Sequence, residues 1–150
     1  MAYYGIQHLI EKKHRNIAFI YSNDTNMPYR DQLINGYRQC LLDPSLFYRE
    51  TLIQSFQNDH LINFIKSNGI TAVFTDSYST GMDIFREFCS KGYKIPSYLS
   101  ILSIAPASPE QMISTIRIPD SEFGGFIADL SVDLAEDRQP IDTEFCCEYD

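Results

Sequence analysis

The stretch at residues 71–102, TAVFTDSYSTGMDIFREFCSKGYKIPSYLSIL, decides the fold of this chain. Its apolar residues predict a short strand at 72–74, an amphipathic helix at 78–90 and a second strand at 99–104. A strand, a helix and a strand in this order form a βαβ unit, which requires a parallel sheet with helices on its faces. Ligands of such sheets bind at the carboxyl ends of the strands, so the turn at 75–81 is where we first look for function.

The same kinds of signal continue on both sides of this unit. Apolar runs predict strands at 17–21, near Leu52 and Ile53, and at 113–118, and helices at 4–12, 29–42, 59–67 and 120–135. Phe145, Cys147 and Tyr149 alternate with other residues and predict a last strand. The chain is therefore expected to be an α/β protein, with a parallel sheet between two layers of helices.

The composition is that of an ordinary globular protein and argues against several function classes. The chain has 150 residues, of which 44% are hydrophobic and 21% charged, and its formal net charge is −8. This charge does not supply the attraction to phosphates that nucleic-acid binding requires. No apolar segment approaches the ~20 residues of a membrane-spanning helix. The start, MAYYGIQHL, lacks the parts of a secretory signal, so we expect a cytoplasmic protein.

The cysteines and histidines show no spacing typical of a metal or redox site. Cys40 and Cys89 lie in predicted helices, Cys146 and Cys147 are adjacent, and no C-x-x-C pair occurs. We expect free, buried thiols in a reducing compartment, with a metal or redox site as the alternative. No metal and no cofactor are expected.

Four phrases of the sequence resemble the effector-binding domain of the LacI/GalR family of bacterial transcription regulators. They follow the family's order and spacing and are YGIQHLIEKKHRNIAFI, RDQLINGYRQCL, GITAVFTDSYSTGMDIFREFCSKGYKIPSYLSIL and ISTIRIPDSEFGGFIADL. The resemblance implies a periplasmic-binding-protein type I fold, in which two Rossmann-like lobes close on a small molecule. It assigns residues 3–104 and 140–150 to lobe two, and the strand and helix at 112–136 to lobe one.

The resemblance also implies a function, which is to sense a small-molecule effector and to dimerise within a DNA-binding repressor. The sequence starts at the family's crossing into lobe two, so we expect a fragment without the helix-turn-helix and most of lobe one. DNA would be bound only through that helix-turn-helix. Ile84 and Phe88 are candidate contacts of a homodimer formed through lobe two, with ordinary core packing as the alternative.

The sugar contacts that are usual in the family are only partly present. A recognition arginine corresponds to Leu33, an Asn-Asp pair at the end of the central strand to Thr75 and Asp76, and an aspartate after the next strand to Ala105. Bidentate hydrogen bonding to neighbouring hydroxyls needs the polar groups that are lost. The effector is therefore less polar or differently shaped than a plain sugar, or none is sensed.

The candidate ligand-binding residues are Tyr21, Ser22, Asp24, Arg30, Thr75, Asp76, Tyr78 and Ala105. Arg30 is the nearest replacement cation, with a solvated arginine at a helix start as the alternative. Asp76 could instead hold its turn through backbone N–H groups, and Asp24 could be a plain turn residue. Tyr78 is either a stacking surface for the ligand or a core or dimer contact.

Two other function classes share parts of this pattern. A phosphoryl-transfer enzyme would pair Asp24 with Asp76, but no lysine lies at 104–108, and no P-loop, G-x-G-x-x-G or G-x-S-x-G motif occurs. Catalysis is therefore not expected. A transport-type periplasmic small-molecule-binding protein has the same fold, although the four phrases match regulators better.

Lys13 occupies a position where the family usually carries glycine, directly before His14. Many helices end with a residue in the left-handed conformation, which glycine adopts without strain. A lysine at this position lowers the stability of the fold by about 1 kcal/mol. We expect the first helix to end with a left-handed Lys13.

Overall fold

The computed structural model describes residues 2–23, 29–41, 52–56, 60–106 and 111–118. Helices and strands alternate over most of this part of the chain. They are α1 (Ala2–Glu11), β1 (Ile17–Tyr21), α2 (Arg30–Cys40), β2 (Ile53–Ser55), α3 (Leu61–Ser67), β3 (Ala72–Thr75), α4 (Tyr78–Ser90), β4 (Ser100–Pro106) and β5 (Ser114–Ile118). The helix expected at 120–135 and the strand expected at 145–149 lie outside the described residues.

The strands form one all-parallel sheet in the order β2-β1-β3-β4-β5. In its centre Phe19 of β1 lies opposite Phe74 of β3, and Phe74 lies opposite Leu102 of β4. The predicted α/β fold with a parallel sheet is confirmed. The order also places β3, the first strand of the βαβ unit, in the middle of the sheet.

Helices α1 and α4 cover opposite faces of the sheet, and each approaches it at a glycine. A Cβ atom added to Gly5 of α1 would lie 2.8 Å from the Phe74 ring, and one added to Gly81 of α4 would lie 3.2 Å from the Thr75 hydroxyl. Phe74 and Thr75 are neighbours in β3, so their side chains point to opposite faces. The predicted three layers are therefore present, and the two glycines permit close contact between them.

The sheet is buried on both faces, which explains the continuous apolar run of β1. On the α1 face the rings of Phe19 and Phe74 stack at 5.7 Å between centroids, and Tyr37 of α2 packs on Phe19 at 5.9 Å. The buried Tyr37 hydroxyl donates a hydrogen bond to the Ile17 carbonyl oxygen at 2.6 Å. This bond satisfies a polar group inside an aromatic core.

Of the two alternatives for Ile84 and Phe88, the structure supports ordinary core packing and not a dimer contact. Both side chains are 0% exposed and belong to the core on the α4 face. The same hydrophobic cluster contains Leu61 and Ile65 of α3. Helix α4 therefore needs a broad apolar surface because it packs on the sheet and shares its core with a second helix.

The end of α1 confirms the expectation for Lys13, whose φ of 73° is left-handed. The N–H group of Lys13 donates to the Ile10 carbonyl at 2.9 Å, and that of His14 donates to the Leu9 carbonyl at 3.1 Å. These two bonds form a Schellman motif, which satisfies carbonyl groups that the helix leaves without a partner.

The resemblance assigned the strand and helix at 112–136 to lobe one, whereas the strand of this segment, β5, is an edge strand of this sheet, beside β4. Ile113, directly before β5, is buried in the core on the α4 face, and this packing ties the strand to the sheet. The chain divides into two units, residues 1–105 with 110–116 and residues 106–109 with 117–150. The second unit lies almost wholly outside the described residues, as does the expected return of 140–150 to lobe two.

Cys40 and Cys89 are free thiols, as predicted. Cys40 is half-buried, and this burial raises the pKa of its thiol. The expected burial is wrong for Cys89, which is exposed because it lies on the outer side of α4. Cys146 and Cys147 lie outside the described residues. Within the described ranges, no helix is long and apolar enough to cross a bilayer.

Candidate functional site

The carboxyl ends of β1 and β3 lie side by side and bring the main candidate residues together. Ile20 of β1 is in register with Thr75 of β3, so Tyr21 and Ser22 follow β1 next to the point where Asp76 follows β3. Ligands of parallel sheets bind at these carboxyl ends of the strands. We call Tyr21, Ser22, Arg30 and Asp76 the strand-end site.

The Asp76 carboxylate joins the two strand ends to α4. Its Oδ2 atom accepts the backbone N–H of Ser22 at 2.9 Å, and its Oδ1 atom accepts the Thr80 hydroxyl at 2.9 Å. The residue is only 2% exposed. Instead of the Asx turn expected from the sequence, the carboxylate bonds to the end of the neighbouring strand, which the parallel pairing of β1 and β3 brings beside it.

A short hydroxyl chain fixes the first turn of α4 against this carboxylate. The Ser77 side chain accepts the backbone N–H of Thr80 at 3.2 Å and is therefore the N-cap of α4. The two hydroxyl oxygens lie 2.9 Å apart. Because the Thr80 hydroxyl donates to Asp76, the Ser77 hydroxyl donates to Thr80. Ser77 and Thr80 were not identified as site residues from the sequence, although the pattern Ser-x-x-Thr before an apolar helix is a capping signal.

Thr75 was expected to face the ligand, but its side chain points into the protein. It is fully buried, its hydroxyl donates to the Ser77 carbonyl at 3.0 Å, and Ser103 of β4 lies 2.6 Å from the same hydroxyl. Side chains at a strand end still alternate between faces, and Thr75 lies on the face that α4 covers. Thr75 and Ser103 therefore join β3 to β4 beneath the site.

Arg30, the first residue of α2, reaches the end of β1. Its guanidinium carbon lies 4.8 Å from the centroid of the Tyr21 ring, which is a cation–π contact. Its Nη2 atom donates to the Ser22 carbonyl at 3.1 Å. The structure thus brings the predicted replacement cation to the strand-end site, where it is half-buried rather than fully solvated.

The Ser22 hydroxyl oxygen is buried and has no hydrogen-bond partner among the described residues. A buried polar group without a partner costs about 1–3 kcal/mol. The backbone N–H and the carbonyl of the same residue are already bonded, to Asp76 and Arg30. Ser22 is therefore a rigidly held residue whose hydroxyl can accept or donate one further hydrogen bond.

The other candidate residues occupy different environments. The half-buried Tyr78 side chain accepts the backbone N–H of Met112 at 3.1 Å and thereby links α4 to the segment before β5. Leu33 and Ala105, which replace polar residues of the family, are buried. Asp24 lies outside the described residues. The described residues contain no cluster of His, Cys, Asp and Glu that could hold a metal ion.

Comparisons with known proteins give a consistent result. A sequence model of the periplasmic binding protein-like domain family matches residues 6–147. The regulator of the NTD biosynthesis operon, NtdR, from Bacillus subtilis (strain 168) is 30% identical in an alignment 138 residues long, and this alignment covers 82% of this chain and 40% of NtdR.

Two solved structures are similar in fold. The transcription regulator CcpA of Lactococcus lactis has a TM-score of 0.79 and 17% identity over 99% of this chain and 58% of CcpA. The transcriptional regulator CelR in complex with cellobiose has a TM-score of 0.70 and 25% identity over 93% of this chain and 46% of CelR. The chain thus spans 40% to 58% of the length of these relatives.

Proposed function

The chain belongs to the periplasmic binding protein-like domain family, and from that membership we propose that it is the effector-sensing and dimerising part of a LacI-type transcription regulator. Its relatives NtdR, CcpA and CelR are regulators, which supports this assignment. In the proposal this chain binds a small molecule, while a helix-turn-helix in the longer protein binds DNA. Effector binding shifts the regulator between DNA-binding and released states.

The observation that carries the proposal is the strand-end site. Asp76 fixes Ser22 against α4, and Arg30 is held over Tyr21 at the same edge of the sheet. A ligand site needs such rigid support, because atoms that are already ordered lose little further entropy on binding. The Ser22 hydroxyl beside this support is buried and has no partner among the described residues. Both features favour a ligand-binding site over strand ends with a purely structural role.

We assign direct ligand contacts to Tyr21, Ser22, Arg30 and Tyr78. The Tyr21 and Tyr78 rings offer flat apolar surfaces, Ser22 offers a hydroxyl, and Arg30 offers charged N–H donors. Asp76 and Thr75, which the sequence suggested as contacts, act by positioning these groups, because their own polar atoms are engaged by other protein groups. Ala105 at the end of β4 and Asp24, which lies outside the described residues, remain candidate contacts.

The side chains favour an effector with fewer polar contacts than a plain sugar requires. Leu33 and Ala105 offer no hydrogen bond from their side chains, whereas Arg30 offers several charged N–H donors. CelR was solved with cellobiose, so hydroxylated ligands are known in this fold. We therefore propose a sugar-like or related metabolite that presents an anionic or hydroxyl group to Arg30 and an apolar face to Tyr21.

A thermal-shift screen tests the effector proposal. The longer protein that contains this chain would be screened against sugars, nucleosides and amino-acid-like metabolites, and hits would be measured by calorimetry. We expect Arg30→Gln to weaken binding of a hit by roughly tenfold or more, because a charge-assisted hydrogen bond is lost. Arg86→Gln is the matched control, since Arg86 is exposed on α4, away from the strand-end site, and forms an ion pair with Asp83 at 3.3 Å. Equal binding by wild type and Arg30→Gln would contradict the assignment.

We further propose that the regulator is a homodimer that joins through the outer surface of lobe two. With Ile84 and Phe88 in the core, the candidates are the half-buried Phe85 on α4 and Met112, which is 65% exposed. Light scattering after size-exclusion chromatography tests this. Met112→Glu should lower the dimer fraction, and Tyr29→Glu, at an exposed tyrosine on another part of the surface, should not.

DNA binding and a cytoplasmic location are part of the same proposal. A bacterial repressor acts where its operator is, and the acidic composition of this chain leaves DNA contacts to another segment. Transcription from the regulated operon should therefore respond to the effector only when the longer protein carries its DNA-binding segment.

A further inference from the structure

A cavity of about 340 Å³ lies between the last turn of α1 and the beginnings of β4 and β5. Its walls are the last turn of α1, the loop that contains Ile95 and Pro96, the beginning of β4 and the residues that start β5. It shares no lining residue with the strand-end site. Its volume is at the lower end of the range for pockets that bind small molecules.

The polar lining of this cavity is basic. Lys12 contributes a positive charge, and His8 and His14 contribute imidazoles, although burial lowers the pKa of His14 and so disfavours its charged form. Ser100 and Ser114 add two hydroxyls, and no carboxylate is among the lining residues. The lining therefore favours an anion over a cation, although the whole chain has a net charge of −8.

The carbonyl groups at the end of α1 have hydrogen-bond donors other than Lys12. The Schellman bonds satisfy the carbonyls of Leu9 and Ile10, and Arg15 donates a second bond to the Ile10 carbonyl at 3.2 Å. Lys12 forms no ion pair within the described part of the chain. Its ammonium group therefore remains available to a ligand. His14 is oriented by Thr71, whose hydroxyl lies 3.0 Å from its Nδ1 atom.

The remaining lining of the cavity is apolar, so a ligand that fits it also needs an apolar part. Leu9, Pro96, Leu102 and Ile113 provide hydrocarbon surface in the same cavity. A small hydrated anion such as inorganic phosphate would leave this surface in contact with water, and a neutral hydrocarbon would leave the basic groups unused. The combination suits a molecule with one anionic group and a short apolar body.

We propose that this cavity binds a small carboxylate with an aliphatic body, of the size of a short-chain fatty acid. The carboxylate lies at Lys12 and His8, where it accepts charge-assisted hydrogen bonds. The hydrocarbon chain lies against Leu9 and Leu102. Such a site gives the chain a second ligand, independent of the effector at the strand-end site.

Titration with hexanoate, followed by two-dimensional NMR of the whole chain, tests the proposal. Hexanol serves as the uncharged probe of equal chain length, and acetate as the charged probe without the apolar body. Hexanoate should bind at least about tenfold more tightly than either, with shifts at α1 and the start of β4, and its affinity should fall with added salt. Equal affinities for hexanoate and hexanol, or shifts confined to the strand-end site, would overturn the proposal.

Two variants distinguish hexanoate binding in the cavity from non-specific electrostatic attraction to the protein. Lys12→Met keeps the length of an exposed side chain but removes its charge, and should weaken hexanoate binding about fivefold, the loss expected for one partly exposed ion pair. Lys91→Met removes a charge from the exposed end of α4, which does not line the cavity, and should leave binding unchanged. Equal weakening by both variants would show attraction to charge in general and would also overturn the proposal.

Discussion

At the scale of single residues, buried polar contacts decide how the strand-end site is held. Asp76 bonds to Ser22, 54 positions earlier in the chain, and to Thr80 in the next helix. The residue type was identified from the sequence, since an aspartate after a buried strand is a good candidate for a site. Its role was not, because neither partner is specified by the local pattern.

Replacing Asp76 by alanine should lower the free energy of unfolding by about 2–4 kcal/mol, because two buried donors lose their acceptor. Urea unfolding monitored by circular dichroism measures this change. Asp83→Ala is the matched control, since the pair of Asp83 with Arg86 is exposed, and the expected loss is at most about 0.5 kcal/mol. A similar small loss for Asp76→Ala would contradict the structural role.

Lys13 is a second position where a single residue can be tested. Replacing it by glycine should raise the free energy of unfolding by about 1 kcal/mol, because glycine adopts a φ of 73° without strain. Lys91→Gly is the comparison at another helix end, where φ is −92° and glycine brings no such relief. If both substitutions destabilised the protein equally in urea unfolding, the left-handed conformation would not be the cause.

At the scale of elements, the helices were predicted well but the partners of their apolar faces were not. The range of α4, Tyr78–Ser90, agrees with the sequence prediction, as does that of β1, Ile17–Tyr21. The broad apolar surface of α4 suggested a dimer contact, yet it is used for the sheet and α3. Periodicity reports which side of a helix is apolar, but not which neighbour covers it.

The close approach of α4 to the sheet can be tested at Gly81. Alanine normally stabilises a helix by about 1 kcal/mol relative to glycine. Here its Cβ would collide with the side chains of Ser103 and Ile113, so we expect Gly81→Ala to destabilise the protein by about 1–3 kcal/mol. Thermal unfolding compared with Ser79→Ala, at an exposed position of the same helix, gives the measurement. A stabilised Gly81→Ala variant would mean that α4 does not pack this closely.

At the scale of the whole molecule, the acidic charge sets what the chain can bind. A net charge of −8 opposes contact with the phosphate backbone, which agrees with the proposal that another segment of the regulator binds DNA. The basic cavity beside α1 is a local exception to the negative charge of the chain. Its position, apart from the strand ends, would allow one lobe to respond to two ligands.

The division between sensing and DNA binding gives a prediction for the isolated chain. Fluorescence anisotropy with labelled duplex DNA at physiological salt should show no binding by these 150 residues. The longer protein with a helix-turn-helix should bind its operator under the same conditions. Tight operator binding by this chain alone would contradict the proposed function.

The sequence by itself determined the elements and their class, because apolar periodicity and the βαβ order depend only on neighbouring residues. It also predicted a candidate site at the strand ends, with Arg30 as a replacement cation, and the structure brings Arg30 to Ser22. Only the tertiary structure decided that Thr75 turns inward to Ser103, that Asp76 holds Ser22, and that β5 joins the sheet. The physical reason is that these contacts depend on strand order and register, which join residues distant in the chain and leave no local pattern in the sequence.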